Sequence, residues 1–155
     1  MPELKSRLQA DLNTAMKARD ELTTATLRMA LTAVTNEEVA GDEARELTDD
    51  EVQRVLTREA KKRREAAEAF DTAGRADQAA AERAEAAVIA EYLPKQLTDD
   101  ELTAVVDEAV AEVTEQTGAA PTQKQMGLLM KAANAKVAGR AEGGRVAAVV
   151  RARLQ

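Results

Sequence analysis

Apolar residues recur every three to four positions along most of this chain, which is the spacing of an amphipathic α-helix. The pattern predicts an all-α protein with seven helices. Asp20 is expected to cap the second helix and Gly41 to end it. That helix has apolar residues on two faces, so it is expected to be packed on both sides. The predicted bounds are 3–19, 20–40, 49–72, 78–93, 98–118, 121–139 and a last helix after the glycine pair at 143–144.

A stop signal followed at once by a start signal divides the chain near its middle. Pro94 lacks an N–H group and disfavours the helical conformation in the residue before it, so the fourth helix should end near Leu93. Thr98 and Glu101 have the spacing of a capping box, which begins the next helix. Tyr92, just before the break, is expected to point into the core. The predicted domains are a four-helix N-terminal part, 1–93, and a three-helix C-terminal bundle, 97–155.

The composition restricts the chemistry that the chain can perform. It contains no Cys and no His, which removes disulfides, thiol chemistry, imidazole bases and the commonest zinc and iron sites. The only serine is Ser6, so a nucleophile with its base would need an unusual arrangement. We therefore predict no catalytic residue, no metal and no cofactor.

Targeting segments are not expected either. No apolar run follows the first charged residues, so we expect no signal peptide. No uncharged apolar segment approaches the length that spans a bilayer, so we expect no membrane association. These observations, with the lack of cysteine, predict a cytoplasmic protein.

Charge is distributed unevenly along the chain. The whole chain has a formal charge of −6, but residues 119–155 contain seven bases and one acid. Such asymmetry points to a polyanionic partner for the basic end. The alternative is that the basic end docks on the acidic remainder of the molecule, and charge alone leaves both open. The candidate nucleic-acid contacts are Lys124, Lys131, Lys136, Arg140, Arg145 and Arg151.

The third predicted helix contains a second basic cluster, formed by Lys61, Lys62 and Arg64. Charge runs on helices are usually solvated faces, and acids surround this one. Glu59 and Arg63 differ from it, because they fall four residues apart in the middle of the apolar face. We expect them to form a buried ion pair. The alternative is an Arg63 that reaches the surface past a short neighbour.

Several segments match a known family. They are 59–65 (EAKKRRE) followed by Phe70, then 73–77 (AGRAD), 91–97 (EYLPKQL), 126–127 (MG) and 139–143 (GRAEG). The chain resembles the GatB/YqeY family over essentially its whole length, and within it the free-standing YqeY-like proteins. One departure is Glu142, which stands where the family usually has an aspartate.

The resemblance implies a function linked to translation. Other family members form the tail of the B subunit of the tRNA-dependent Asp/Glu amidotransferase, a glutamine-dependent carbon–nitrogen ligase. There the tail grips the tRNA while separate domains hold the active site. The resemblance thus implies contact with tRNA or another structured RNA, and an amidotransferase or an aminoacyl-tRNA synthetase as a candidate partner. The alternative hypothesis is a helical protein–protein adaptor without RNA affinity.

Overall fold

A computed structural model describes residues 2–154. Within that range the chain is all-α, as predicted, with no strand. The helices are α1 (Glu3–Lys17), α2 (Glu21–Glu38), α3 (Asp49–Thr72), α4 (Ala76–Ala90), α5 (Asp99–Thr117), α6 (Met126–Val137) and α7 (Gly143–Arg153), with a 3-10 turn at Gln123–Gln125. No helix among these residues is both long and apolar enough to cross a lipid bilayer.

The chain divides into two compact units, one ending at Leu93 and the other starting at Pro94. In the N-terminal unit, α2 packs against α1, α3 and α4, in agreement with its two apolar faces. The buried side chains between these helices are almost all aliphatic, because the chain has only two aromatic residues. The largest fully buried ones are Leu8, Leu27, Leu47, Leu56 and Ile89.

The start of α3 shows how local sequence determines a helix boundary. Thr48 accepts a hydrogen bond from the Glu51 N–H (3.3 Å), and the Glu51 carboxylate accepts one from the Thr48 N–H (2.9 Å). This is a reciprocal capping box, which the Thr-x-x-Glu spacing of residues 48–51 favours. Arg45 adds a third bond to Glu51, at 2.9 Å. Arg45 first, and then the Thr48 N–H, lower the pKa of Glu51 from its ordinary 4.5 to about 2.

Two predicted ends in the N-terminal unit are wrong by a few residues. The first helix ends at Lys17 rather than residue 19, because Arg19 adopts a left-handed conformation (φ 56°). The second ends at Glu38, and Val39 caps it through bonds to Thr35 and Glu37. Gly41 does not cap the second helix, since it lies beyond the helix and outside the left-handed region.

The fourth helix also ends early, at Ala90 instead of residue 93. The N–H groups of Tyr92 and Leu93 bond to carbonyls three residues back, so the chain tightens into a turn before Pro94. Arg7 closes this turn from α1 by donating to the Glu91 carbonyl, at 3.5 Å. Proline restricts only the residue before it, Leu93, so the early end of α4 coincides with this turn.

The C-terminal unit is a three-helix bundle in which α5, α6 and α7 pack against one another. Thr98 and Glu101 form the predicted capping box, and Gly118 ends α5 at φ 80°. The glycine pair at 143–144 was expected to be a turn, but it forms the first turn of α7. The fully buried residues include Leu102, Val106, Val113, Leu129, Val146 and Val150.

Candidate nucleic-acid interface

Charge in the C-terminal unit is segregated by helix. Residues 94–155 carry eight Lys or Arg and eight Asp or Glu side chains, so the unit is neutral as a whole. Seven of the eight acids lie on α5, which has no base. Seven of the eight bases lie on α6, on α7 or on the segments beside them, and Lys95 lies just before α5. The number of bases that are available to a ligand therefore depends on how many of them pair with acids of α5.

Three ion pairs connect the basic helices to α5. Lys136 pairs with Glu112 at 3.2 Å, Arg145 with Asp99 at 3.0 Å, and Arg153 with Asp107 at 2.6 Å. This is the internal pairing that the docking interpretation expects. It accounts for three of the seven bases in residues 119–155.

Arg140 makes hydrogen bonds at the junction between α6 and α7. Its Nε and Nη2 donate to the carbonyls of Val137 (2.9 Å) and Lys136 (2.7 Å) at the end of α6, and the Arg140 backbone N–H also donates to the Val137 carbonyl (3.1 Å). Its own carbonyl accepts a bond from the Leu97 N–H, at 2.7 Å. Arg145 donates to the Leu97 carbonyl, at 2.9 Å. Arg140 and Arg145 thus hold the segment that enters α5, and neither side chain is free.

Lys124, Lys131 and Arg151 have a different environment. All three are exposed, and no hydrogen bond or ion pair joins them to any residue in 2–154. Lys131 lies on α6, and Lys124 lies seven residues earlier, in the 3-10 turn that leads into α6. Residues 119–141 contain no acid. We call this exposed side the α6 outer face; it consists of Lys124, Gly127, Leu128, Lys131, Asn134 and Ala135.

The second basic cluster, on α3, lies among carboxylates. Lys61 is 3.8 Å from Glu65, and Lys62 is 3.3 Å from Glu59. Arg64 is exposed but also has an interaction within the molecule. The cluster is thus largely neutralised along its own helix, unlike the α6 outer face.

Glu59 and Arg63 meet inside the N-terminal unit. Arg63 Nη1 lies 2.8 Å from Glu59 Oε2, and the two side chains are 11% and 13% exposed. Arg63 Nε makes no hydrogen bond within the described residues and is 3.7 Å from a carboxylate oxygen of Glu85 on α4. Burial raises the pKa of Glu85, with the neighbouring Glu82 adding to the effect. Arg63 also contacts the Met29 sulfur, so it joins α2, α3 and α4 and is unavailable to a ligand.

Tyr92 is buried and anchored to α1. Its hydroxyl donates to Asp11 Oδ2 at 2.5 Å, and the Arg7 guanidinium lies 4.6 Å from the ring centroid. Burial, and then the bond to Asp11, raise the pKa of Tyr92 well above its usual value. Pro94, two residues on, is partly buried. Sequence reasoning missed Arg7 and Asp11, although their i, i+4 spacing places them on one side of α1.

The described residues contain no group of three or more acids that could hold a metal ion. A search of curated proteins found no match to this chain. The model of the Yqey-like protein family matches residues 5–154, nearly the full length. The chain therefore belongs to the YqeY-like family.

Proposed function

We propose that this protein is a tRNA-binding accessory protein that contacts the RNA backbone through its C-terminal unit. The observation that carries the proposal is the α6 outer face, where Lys124 and Lys131 are exposed, unpaired and remote in sequence from any acid. Arg151 on α7 is a third exposed base without a partner among the described residues. Membership of a family related to the amidotransferase tail supports tRNA as the ligand.

Three contacts of this kind give moderate, salt-dependent binding. Each phosphate that a base neutralises releases bound counterions, so log K should fall against log salt with a slope of about −0.9 per contact. Three contacts then predict a slope of about −3 and a loss of about 40-fold between 50 and 200 mM salt. The overall charge of −6 opposes approach from other sides, so the binding should depend on this surface.

The test is a tRNA titration of the full-length protein over a salt series. The variant Lys124→Glu/Lys131→Glu should lose most of its affinity while keeping its helix content. The matched control is Arg54→Glu/Lys61→Glu, which changes two exposed bases with the same seven-residue spacing on α3. Equal losses in both variants would show a net-charge effect only. Unchanged affinity in the first variant would refute the assignment.

The neutrality of the C-terminal unit favours a second candidate function, a protein–protein adaptor. Three ion pairs to α5 already use much of the basic charge, as an adaptor without RNA affinity would allow. A wild-type protein that does not bind tRNA at low salt would favour this function.

In the proposed role the protein binds tRNA and does not itself catalyse a reaction. We assign no catalytic residue, since the sequence contains no Cys, no His and a single serine, Ser6. An amidotransferase or an aminoacyl-tRNA synthetase acting on the same tRNA in the cytoplasm would then supply the reaction. Pull-down of such an enzyme that depends on added tRNA would support this partnership, whereas tRNA-independent capture would favour the adaptor.

A further inference from the structure

The α6 outer face is a shallow surface rather than a projecting helix. At about 100° per residue, its five positions on α6 span about 120° of the helix circumference. The remaining residues of α6 pack against α5 and α7, with Leu129, Ala133 and Val137 fully or almost fully buried. Such a helix can lie on a nucleic acid but cannot enter a deep groove.

Gly127 lies on this face without a reason inside the protein. A Cβ atom built there meets nothing within 4 Å, so packing does not exclude a side chain. Its φ is not positive, so the backbone does not require glycine either. Glycine inside a helix is less favourable than alanine, since it loses more conformational freedom on folding. What Gly127 does provide is direct access to the main chain of α6 from outside.

Leu128 makes the same face partly apolar. It is 42% exposed, the only large hydrophobic side chain that is exposed among the described residues of the C-terminal unit. It follows Lys124 by four residues and precedes Lys131 by three, and on α6 it lies about one turn from Lys131. Lys124 on one side and Lys131 on the other therefore flank an apolar strip formed by Gly127 and Leu128.

We propose that the α6 outer face binds the wide, shallow minor groove of A-form, double-helical RNA. This inference rests on the proposed function and names the RNA structure that is recognised. Lys124 and Lys131 contact phosphates, while Gly127 and Leu128 let the helix lie against the riboses with their 2′-hydroxyls. A-form RNA presents such a groove, and proteins read it by shape and by sugar and phosphate contacts.

Two alternatives fit the surface less well. Single strands are usually held by aromatic stacking, but the only aromatic residues, Phe70 and Tyr92, belong to the N-terminal unit. B-form DNA is read in a major groove about 8.5 Å deep, which a helix exposed over so small an arc cannot enter. Double-helical RNA remains the ligand whose shape matches.

The experiment measures binding of the full-length protein to short duplexes of matched length and sequence, in RNA and in DNA, and to unstructured single-stranded RNA. We expect the RNA duplex to bind about tenfold tighter than the DNA duplex, the size of one or two lost contacts. Equal affinity for the two duplexes, or preference for the single strand, overturns the inference. If tRNA itself binds well, the proposed function holds whichever nucleic acid is preferred. If no RNA binds, the proposed function and this inference are both refuted.

A substitution on the face provides an independent readout. Gly127→Leu should reduce RNA-duplex affinity about tenfold while leaving the salt slope unchanged, because both lysines remain. The matched control is Ala111→Leu, which enlarges an exposed small residue on the acidic helix α5. Circular dichroism shows whether each variant is folded, as the open space at Gly127 predicts. Wild-type affinity in folded Gly127→Leu, or an equal loss in Ala111→Leu, refutes the contact.

Discussion

Replacing Arg63 by alanine should destabilise the N-terminal unit strongly. The side chain is 11% exposed, and it lies between the carboxylates of Glu59 (2.8 Å) and Glu85 (3.7 Å). Without the guanidinium, both carboxylates stay in a poorly solvated site with no cation. The structure thus predicts a loss through the charges left behind, more than through the contacts removed.

The magnitude follows from burial. Removing one partner of a buried pair typically costs about 3–5 kcal/mol, whereas an exposed pair contributes about 0–1 kcal/mol. Arg63 retains some solvent contact, and its Nε makes no hydrogen bond, so we expect a cost near the lower limit, about 3 kcal/mol. Lys62, 67% exposed and 3.3 Å from the same Glu59, is the matched control. Lys62→Ala should cost less than about 1 kcal/mol.

The chain offers a convenient assay for this comparison. It has one tyrosine, Tyr92, and no tryptophan, so intrinsic fluorescence reports on the N-terminal unit alone. A loss of 3 kcal/mol should lower the urea midpoint by about 1–3 M. Arg63→Lys, which keeps the charge but loses the forked geometry, should lie between wild type and Arg63→Ala. Equal midpoints for Arg63→Ala and Lys62→Ala would refute the buried pair and place Arg63 on the surface, where contact with RNA becomes the better interpretation.

Three smaller predictions concern helix ends and glycines. Thr98→Ala removes one half of a capping box and should cost about 1 kcal/mol, measured by thermal melts followed by circular dichroism. Gly118→Ala should cost about 1–2 kcal/mol because its φ is 80°, whereas Gly127→Ala should gain about 0.5–1 kcal/mol; a loss at Gly127 would contradict the open space seen there. Glu51 has a lowered pKa, so its contribution is complete above pH 4.5 and disappears as the pH falls towards 2. Glu51→Gln should flatten the acid loss of stability in that window, and an unchanged pH profile would argue against the bond from Arg45.

Helix caps and buried faces that depend on residues close together in the sequence could be predicted from the sequence. The capping boxes at Thr48 and Thr98 join residues three apart, and the Asp20 cap accepts from the Thr23 N–H in the same way. The apolar period of α3 places its buried face correctly because it is a property of one helix. Helix ends were less predictable. Arg19 ends α1 in a left-handed conformation that glycine or asparagine usually adopts, so its sequence gives no warning.

The candidate interface could not be resolved from sequence for a different reason. Lys131 and Arg145 look equivalent in a count of bases, yet Arg145 reaches Asp99, which lies 46 residues earlier, and Lys131 reaches no acid. Such pairing depends on how α5, α6 and α7 pack. That Gly127 is required neither by close packing nor by a positive φ is likewise visible only in the structure.

The slope of RNA affinity against salt concentration can therefore show how many bases contact phosphates. Six contacting bases would give a slope of about −5, whereas the three without intramolecular partners give about −3. A steeper slope would mean that the RNA competes with α5 for Lys136 and Arg145, exchanging one anionic partner for another. That exchange would leave Glu112 and Asp99 unpaired, so it would cost stability in the C-terminal unit. The exposed lysines of the α6 outer face require no such exchange, because binding there breaks no existing bond, and this is the physical reason to expect the smaller slope.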